Sequence, residues 1–293
     1  GTNILNTKAN KAEPQGTECL IICTEPEEYK IFDIRAKKPI WYKNKENSIV
    51  TQEIDQVEFS VKSTTPQKMA LDYYKPNNVG ILLNISEKAL TTAKLLFKSI
   101  CELKKLSDNY MQEIVRNSKY TYNFIEQLQM CIVFGYTALE AFTNLSIPEH
   151  YVYKSMQNSK GITEIYDKNA IERWLPLSTK ISEIAVDVYK TKNIKELRIW
   201  NQYLEFEKLR NEIIHQKSIE TTSFYKKYFG DGVFELCNVP QRVIKFFFEE
   251  REDKAHTDPL WPWMINEKNE FPLKYYDLDE IFVIGSGKLN DYR

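Results

Sequence analysis

Two apolar stripes at helical spacing fix most of what this chain can fold into. Leu90, Ala93, Phe97, Ile100 and Leu103 recur at three- and four-residue steps, and Tyr122, Ile125, Leu128, Ile132, Gly135, Leu139 and Phe142 repeat the pattern further on. An α-helix turns once in 3.6 residues, so each stripe is one face of an amphipathic helix. Between Gly135 and Phe142 only Glu140 is charged, which predicts burial on most sides. With 9 Gly and 11 Pro in 293 residues, a turn-rich all-β fold is disfavoured. Ser86 is the expected N-cap of the first helix, Ser107-Asp108-Asn109 either breaks the helical pattern or merely faces solvent, and Pro148 is the expected end of the second. A third helix is expected from near Ile171 through Pro176 towards Tyr189. A fourth runs from about Ile194 to Lys217, with Leu197, Trp200, Leu204, Leu209 and Ile213 turned inward.

The flanks read differently. Residues 1–16 are polar and expected to be loose. Cys19–Cys23, Tyr29–Ile34, Pro39–Tyr42 and Val57–Val61 are short, β-rich and set apart by charged or Pro-containing breaks, so residues 17–75 read as a small β-rich domain. Lys75-Pro76-Asn77-Asn78 is a turn or linker. The helical region spans 82–218. Residues 219–293 read as a mixed α/β extension, with Val233–Cys237 as a strand, Gln241–Glu252 as a helix, an extended aromatic segment at Pro259–Trp263, and a last strand at Ile281–Ile284.

Charge and cysteine usage narrow the function. The net charge of −1 provides no global field for nucleic acid, so any such contact is local. Lysines outnumber arginines 32 to 8, which makes each arginine the scarcer choice. Five scattered cysteines and no signal peptide predict a reduced, cytoplasmic setting. No apolar run reaches the ~18 residues of a membrane span. Cys19 and Cys23 lack the further ligands a metal needs and are read as packing residues. Asp277–Glu280 is read as a solvated turn rather than a cation loop. Lys104, Lys105, Lys119, Lys226 and Lys227 with the aromatic residues nearby read either as an RNA-facing patch or, favoured for any one of them, as scattered solubilising lysines, and His150 and His256 read as loop residues.

One segment carries a catalytic kit. Arg210-Asn211-Glu212-Ile213-Ile214-His215 puts an arginine and one of three histidines within six positions of a helix. Arginine grips phosphate through a planar fork of donors, and histidine exchanges protons near neutral pH. Asn211 and His215 are one turn apart and share a face. Arg210 and His215 are separated by about 140° around the helix. The two side chains therefore leave the backbone in different directions: either the long arginine curls partly back, or the pair is completed across a dimer axis, and the spacing points to a dimer-built site.

Two further segments make a resemblance. Tyr136-Thr137-Ala138-Leu139-Glu140-Ala141-Phe142-Thr143-Asn144 lies about 70 residues upstream, and Trp174-Leu175-Pro176-Leu177-Ser178-Thr179-Lys180 lies between the two. Together with Arg210–His215 they resemble the HEPN-domain family in motif, order and spacing over about residues 82–218. The resemblance implies a HEPN-like helical bundle for that stretch; with the flanks as read from their residues, the expected fold is mainly α (α+β overall), the bundle carrying a small β-rich N-terminal domain and a mixed C-terminal extension.

It also implies a chemistry. Many HEPN proteins are metal-independent ribonucleases that dimerise so that two motif helices meet in a cleft. By that resemblance His215 is a general acid or base, Arg210 stabilises the phosphate, Asn211 orients His215 or the phosphate, and Glu140 and Asn144 line or support the cleft. Read without it, Glu140 is a buried carboxylate held by its helix neighbours and Asn144 a helix cap. No cofactor and no metal are implied. The implied partners are an RNA substrate, a second copy of the chain, and an antitoxin or phage-derived trigger, as in bacterial anti-phage defence or toxin systems. The alternative is a catalytically inactive HEPN module that binds a partner protein or a nucleotide. The RNA-binding residues are not legible.

Overall fold

The computed structural model describes residues 18–23, 33–37, 40–43, 48–106, 109–157, 159–215, 223–252 and 283–288; for 18–23, 40–43, 48–52 and 283–288 this is the backbone course. These residues fall into two units. The first draws on 1–32, 36–76 and 275–293, and the second on 33–35 and 77–274.

The first unit is an antiparallel sheet of β1 (Glu18–Cys23), β2 (Ile40–Lys43), β3 (Ser48–Val61), β4 (Gln67–Tyr74) and the C-terminal strand Val283–Lys288. β3 is long enough to serve two sets of partners. Its first half lies between β2 and β1, and from Ile54 onward it pairs with β4 as a hairpin. Val283–Lys288 pairs with β1 antiparallel, so this sheet joins segments far apart in the sequence. Glu53 is buried at the point where β3 changes partners, and Lys37 and Lys75 hold its two oxygens at 2.7 and 3.4 Å. A buried carboxylate needs such pairing.

The second unit is helical. Its main elements are α1 (Asn78–Lys105) and α2 (Tyr110–Ser146), which pack along each other, followed by a two-stranded ribbon of β5 (Tyr153–Lys154) and β6 (Ile165–Tyr166). Next come α3 (Lys168–Trp174) and α4 (Leu177–Thr179), which widens into a π-helical turn over Lys180–Ala185 and closes as α5 (Val186–Tyr189). α6 (Arg198–Ile214), a 3-10 segment Ser223–Phe229, α7 (Val233–Cys237) and α8 (Val239–Glu250) complete it. The core joins Leu83 and Leu90 of α1 to Phe124, Leu128, Ile132, Leu139 and Phe142 of α2, Tyr203 and Phe206 of α6, and Val243, Ile244 and Phe247 of α8. Among the described residues no helix is long and apolar enough to cross a membrane.

Several expectations are corrected. α1 starts eight residues before Ser86, because Asn77 caps it by accepting from the Val79 and Gly80 amides at 3.1 and 3.4 Å. Ser86 is an interior residue whose hydroxyl donates to the Cys131 carbonyl at 2.8 Å, linking α1 to α2. Val233–Cys237 is helix, not strand: five residues are too few to show a readable period, and here Val233 and Cys237 pack into the bundle core. The third helix is broken at Leu175-Pro176, where proline cannot continue the ladder. Leu204 of α6 faces outward, and Tyr203 and Phe206 take the inward places. The helices after residue 219 belong to the bundle while the last strand joins the sheet, so the C-terminal extension is not one body. Most of the strand expected at 29–34, the aromatic segment 259–263, His256, residues 1–16 and residues 277–280 lie outside the described residues; Ile34 is buried in the bundle core.

Candidate functional site

Arg210, Asn211 and His215 sit on the last turn of α6. The burial of Tyr203, Phe206 and Leu209 fixes the rotation of that helix. It turns Arg210 towards α2, where its guanidinium lies 4.4 Å from the centroid of the Tyr136 ring. Arginine over an aromatic face is favoured by the ring quadrupole. Its Nη1 also donates to Asn211 Oδ1 at 3.0 Å. The platform is itself anchored: Tyr136 and Tyr203 both donate their hydroxyls to Glu207 Oε1, at 3.1 and 2.8 Å. Burial, reinforced by the Glu207 carboxylate, pushes both phenols well above the ordinary tyrosine range, so they remain donors.

His215 closes the helix as its C-cap, with its amide donating to the Asn211 carbonyl at 2.9 Å. Its side chain is exposed, as is that of Asn211. Among the described residues no hydrogen bond joins Arg210 to His215. The structure thus brings the Arg210 guanidinium to Asn211, while His215 leaves the helix axis about 140° further round than Arg210 does. Asn201, Leu204, Lys208, Asn211 and His215 form an exposed ridge at alternating three- and four-residue steps.

Glu140 and Asn144 follow Tyr136 along α2 at four-residue steps and share its face. They meet a residue that sequence reading passed over. Lys180 is 1% exposed in the π-helical turn, and its Nζ donates to Asn144 Oδ1 and to the Glu172 carbonyl, both at 2.9 Å. Burial lowers its pKa, opposed by the Glu140 and Glu172 carboxylates. Asn144 is therefore not a helix cap. Ile147 is the C-cap of α2, and the Asn144 side chain is occupied by Lys180. Glu140 is half-buried, and its charge reaches both Lys180 and Tyr136.

The signals for the missed residues were present but undirected. Tyr136 and Lys180 are the first and last residues of two motif segments, and Glu207 lies three residues before Arg210. Nothing local says that one is a platform, one a buried cation and one an anchor.

Chemically, the arrangement offers a fixed guanidinium with one face covered and an exposed imidazole at a helix end. Comparison of the chain with protein-family models, with curated proteins and with solved structures finds no match.

Proposed function

We propose that this chain is a metal-independent RNA endonuclease of the HEPN type, acting in the cytoplasm as a homodimer in bacterial anti-phage defence or as a toxin. The observation that carries the reading is the seat of Arg210 on Tyr136. The arginine of one motif segment stacks on the first residue of the other, about 70 positions upstream. The contact lies where α6 packs on α2, and it joins the two motif segments side chain to side chain.

In the proposed reaction the RNA 2′-hydroxyl attacks the adjacent phosphorus and the 5′-oxygen leaves. The products are a 2′,3′-cyclic phosphate and a 5′-hydroxyl. One imidazole takes the 2′-hydroxyl proton or supplies one to the leaving oxygen, which is the role of His215. Arg210 neutralises the charge that builds on the non-bridging oxygens, and its stacking on Tyr136 holds the fork in place beforehand. Asn211 fixes Arg210 rather than His215. Because Arg210 and His215 face different ways on α6, each active centre takes its arginine from one copy and its histidine from the other.

The test is incubation with RNA in EDTA, beside Arg210→Ala and His215→Ala. Cleavage by the wild type that both variants lose supports the reading. Cleavage that persists in both sinks the site, and a wild type that cuts nothing favours a binding module.

A further inference from the structure

A cleft of about 380 Å³ opens on the flank of α6 that carries the exposed ridge. Leu209 of α6 with Val233 and Leu236 of α7 give it an apolar wall. Glu205 and Lys208 of α6, with Lys227 and Asp231, add two carboxylates and two ammonium groups to the lining. Next to Asp231 the chain turns at Gly232, whose φ of +87° is a left-handed conformation that a side chain disfavours. Lys227 is tied to α6 by Glu212, Nζ to Oε1 2.6 Å, and the second oxygen of Glu212 is buried with no hydrogen-bond partner among the described residues.

The position is informative. Lys208 lies on the same ridge as Asn211 and His215, seven residues before the histidine, or roughly 10 Å along the helix at 1.5 Å per residue. Lys208 also lines the cleft, so the cleft and the proposed catalytic histidine are reached from one exposed ridge of α6. Pockets of a few hundred cubic ångströms with an apolar lining and a few polar groups are the usual form of a small-ligand site. A ligand that satisfies this one has a flat apolar ring, donors at its edge for two carboxylates, and an anion beside it for a lysine. A nucleobase with an exocyclic amino group, carried on its phosphate, has all three.

We propose that this cleft is the base-selecting subsite of the protein. It takes the base of a nucleotide flanking the cleaved bond, with Leu209, Val233 and Leu236 against the ring. Glu205 and Asp231 accept from the amino group of cytosine, adenine or guanine, and Lys208 pairs with the phosphate. Uracil has no amino group and is disfavoured. The assignment rests on the ribonuclease reading for its place in a reaction, but binding itself is measurable without cleavage.

The experiment is a titration of the ¹⁵N-labelled full chain with cytidine, adenosine, guanosine and uridine 3′-monophosphates, followed by amide shifts, with inorganic phosphate as control. The amides of Leu209 and of Gly230 to Val233 are expected to move with the three amino-bearing nucleotides. Uridine 3′-monophosphate is expected to bind about fivefold more weakly, the worth of one hydrogen bond. Lys208→Ala weakens all four, and Glu205→Gln with Asp231→Asn narrows the gap between cytidine and uridine. Shifts that inorganic phosphate reproduces, shifts elsewhere on the chain, or equal affinity for uridine overturn the subsite. A chain that shows the expected shifts yet never cuts RNA sinks the nuclease reading and leaves the nucleotide site standing. A chain that cuts RNA and shows none of these shifts does the reverse.

Discussion

The guanidinium of Arg210 rests 4.4 Å from the ring centroid of Tyr136, and the hydroxyl of that tyrosine is held by Glu207 one turn back along the same helix as the arginine. The closed circuit of Arg210, Tyr136 and Glu207 makes the orientation of the arginine a property of how α6 packs on α2. Tyr136→Phe keeps the ring and removes the hydroxyl. It should cost about 1 kcal/mol of stability and leave RNA cleavage within a few-fold of wild type. Tyr136→Leu removes the ring as well and should lower kcat by a further tenfold or more, with the larger change in kcat rather than KM. Arg210→Lys keeps the charge but loses the planar fork, and should behave like Arg210→Ala. Equal activity of the Phe and Leu variants would show that the ring does not position the arginine.

A composite centre has a sharper signature than loss of activity. His215 is exposed, so His215→Ala should leave the melting temperature within a degree or two while reducing cleavage by about 10²–10⁴-fold. Arg210→Ala should do the same at a cost of no more than about 1 kcal/mol. When the two inactive proteins are unfolded, mixed in equal amounts and refolded, half the dimers are mixed, and each mixed dimer regains one intact centre if arginine and histidine come from different copies. About a quarter of wild-type activity is expected on that count. A centre built within one chain gives none.

How much of this was readable in the sequence depends on the range of the interaction. The stripes from Leu90 to Leu103 and from Tyr122 to Phe142 both lie within helices, because helical period is a local property. The start of α1 was misread because Asn77 and Ser86 are both competent caps, and only the packing of Ser86 against Cys131 decides between them. β4 was passed over because Gln67–Tyr74 does not alternate cleanly, and its partner in β3 is the reason it is a strand. In the candidate site, Arg210, Asn211 and His215 were legible as a spacing. The platform under Arg210 and the lysine on Asn144 were not, since their partners lie 74 and 36 residues away.

The close approach that brings α2 to its neighbours depends on Gly135, one residue before Tyr136. A Cβ there would lie 2.9 Å from Cγ of Pro240, 3.1 Å from the Ser86 hydroxyl and 3.4 Å from Cζ of Phe206. Alanine is the better helix former by about 1 kcal/mol. The nearest of these atoms belongs to a proline ring that cannot swing aside, so overpacking, about 1–3 kcal/mol, should win. Gly135→Ala is expected to lower the denaturant midpoint without changing the slope of unfolding. Because the same shift moves Tyr136 relative to α6, cleavage should fall too. A more stable variant would mean that α8 yields more easily than its proline allows.

Lys180 gives the fold a pH dependence whose sign can be worked out. Burial holds its pKa below the ordinary 10.5, against the pull of the Glu140 and Glu172 carboxylates. Between the folded value and 10.5 the unfolded chain therefore binds more protons than the folded one, and this group makes the fold more stable as pH rises through that window. Below the window the charged ammonium is present in both states, and its desolvation is a standing cost that the bonds to Asn144 and Glu172 offset. Lys180→Met removes the titration. The unfolding free energy of wild type minus that of the variant should therefore climb as pH is raised towards 10.5, measured by urea denaturation at a series of pH values. A flat difference would mean that Lys180 releases its proton no more readily in the bundle than in water. A falling one would mean that the carboxylates outweigh burial. The same pair tests the site, because Met cannot hold Asn144. A loss of cleavage in Lys180→Met that Lys180→Arg partly restores would mark the lysine as positioning the α2 face that carries Glu140 and Tyr136.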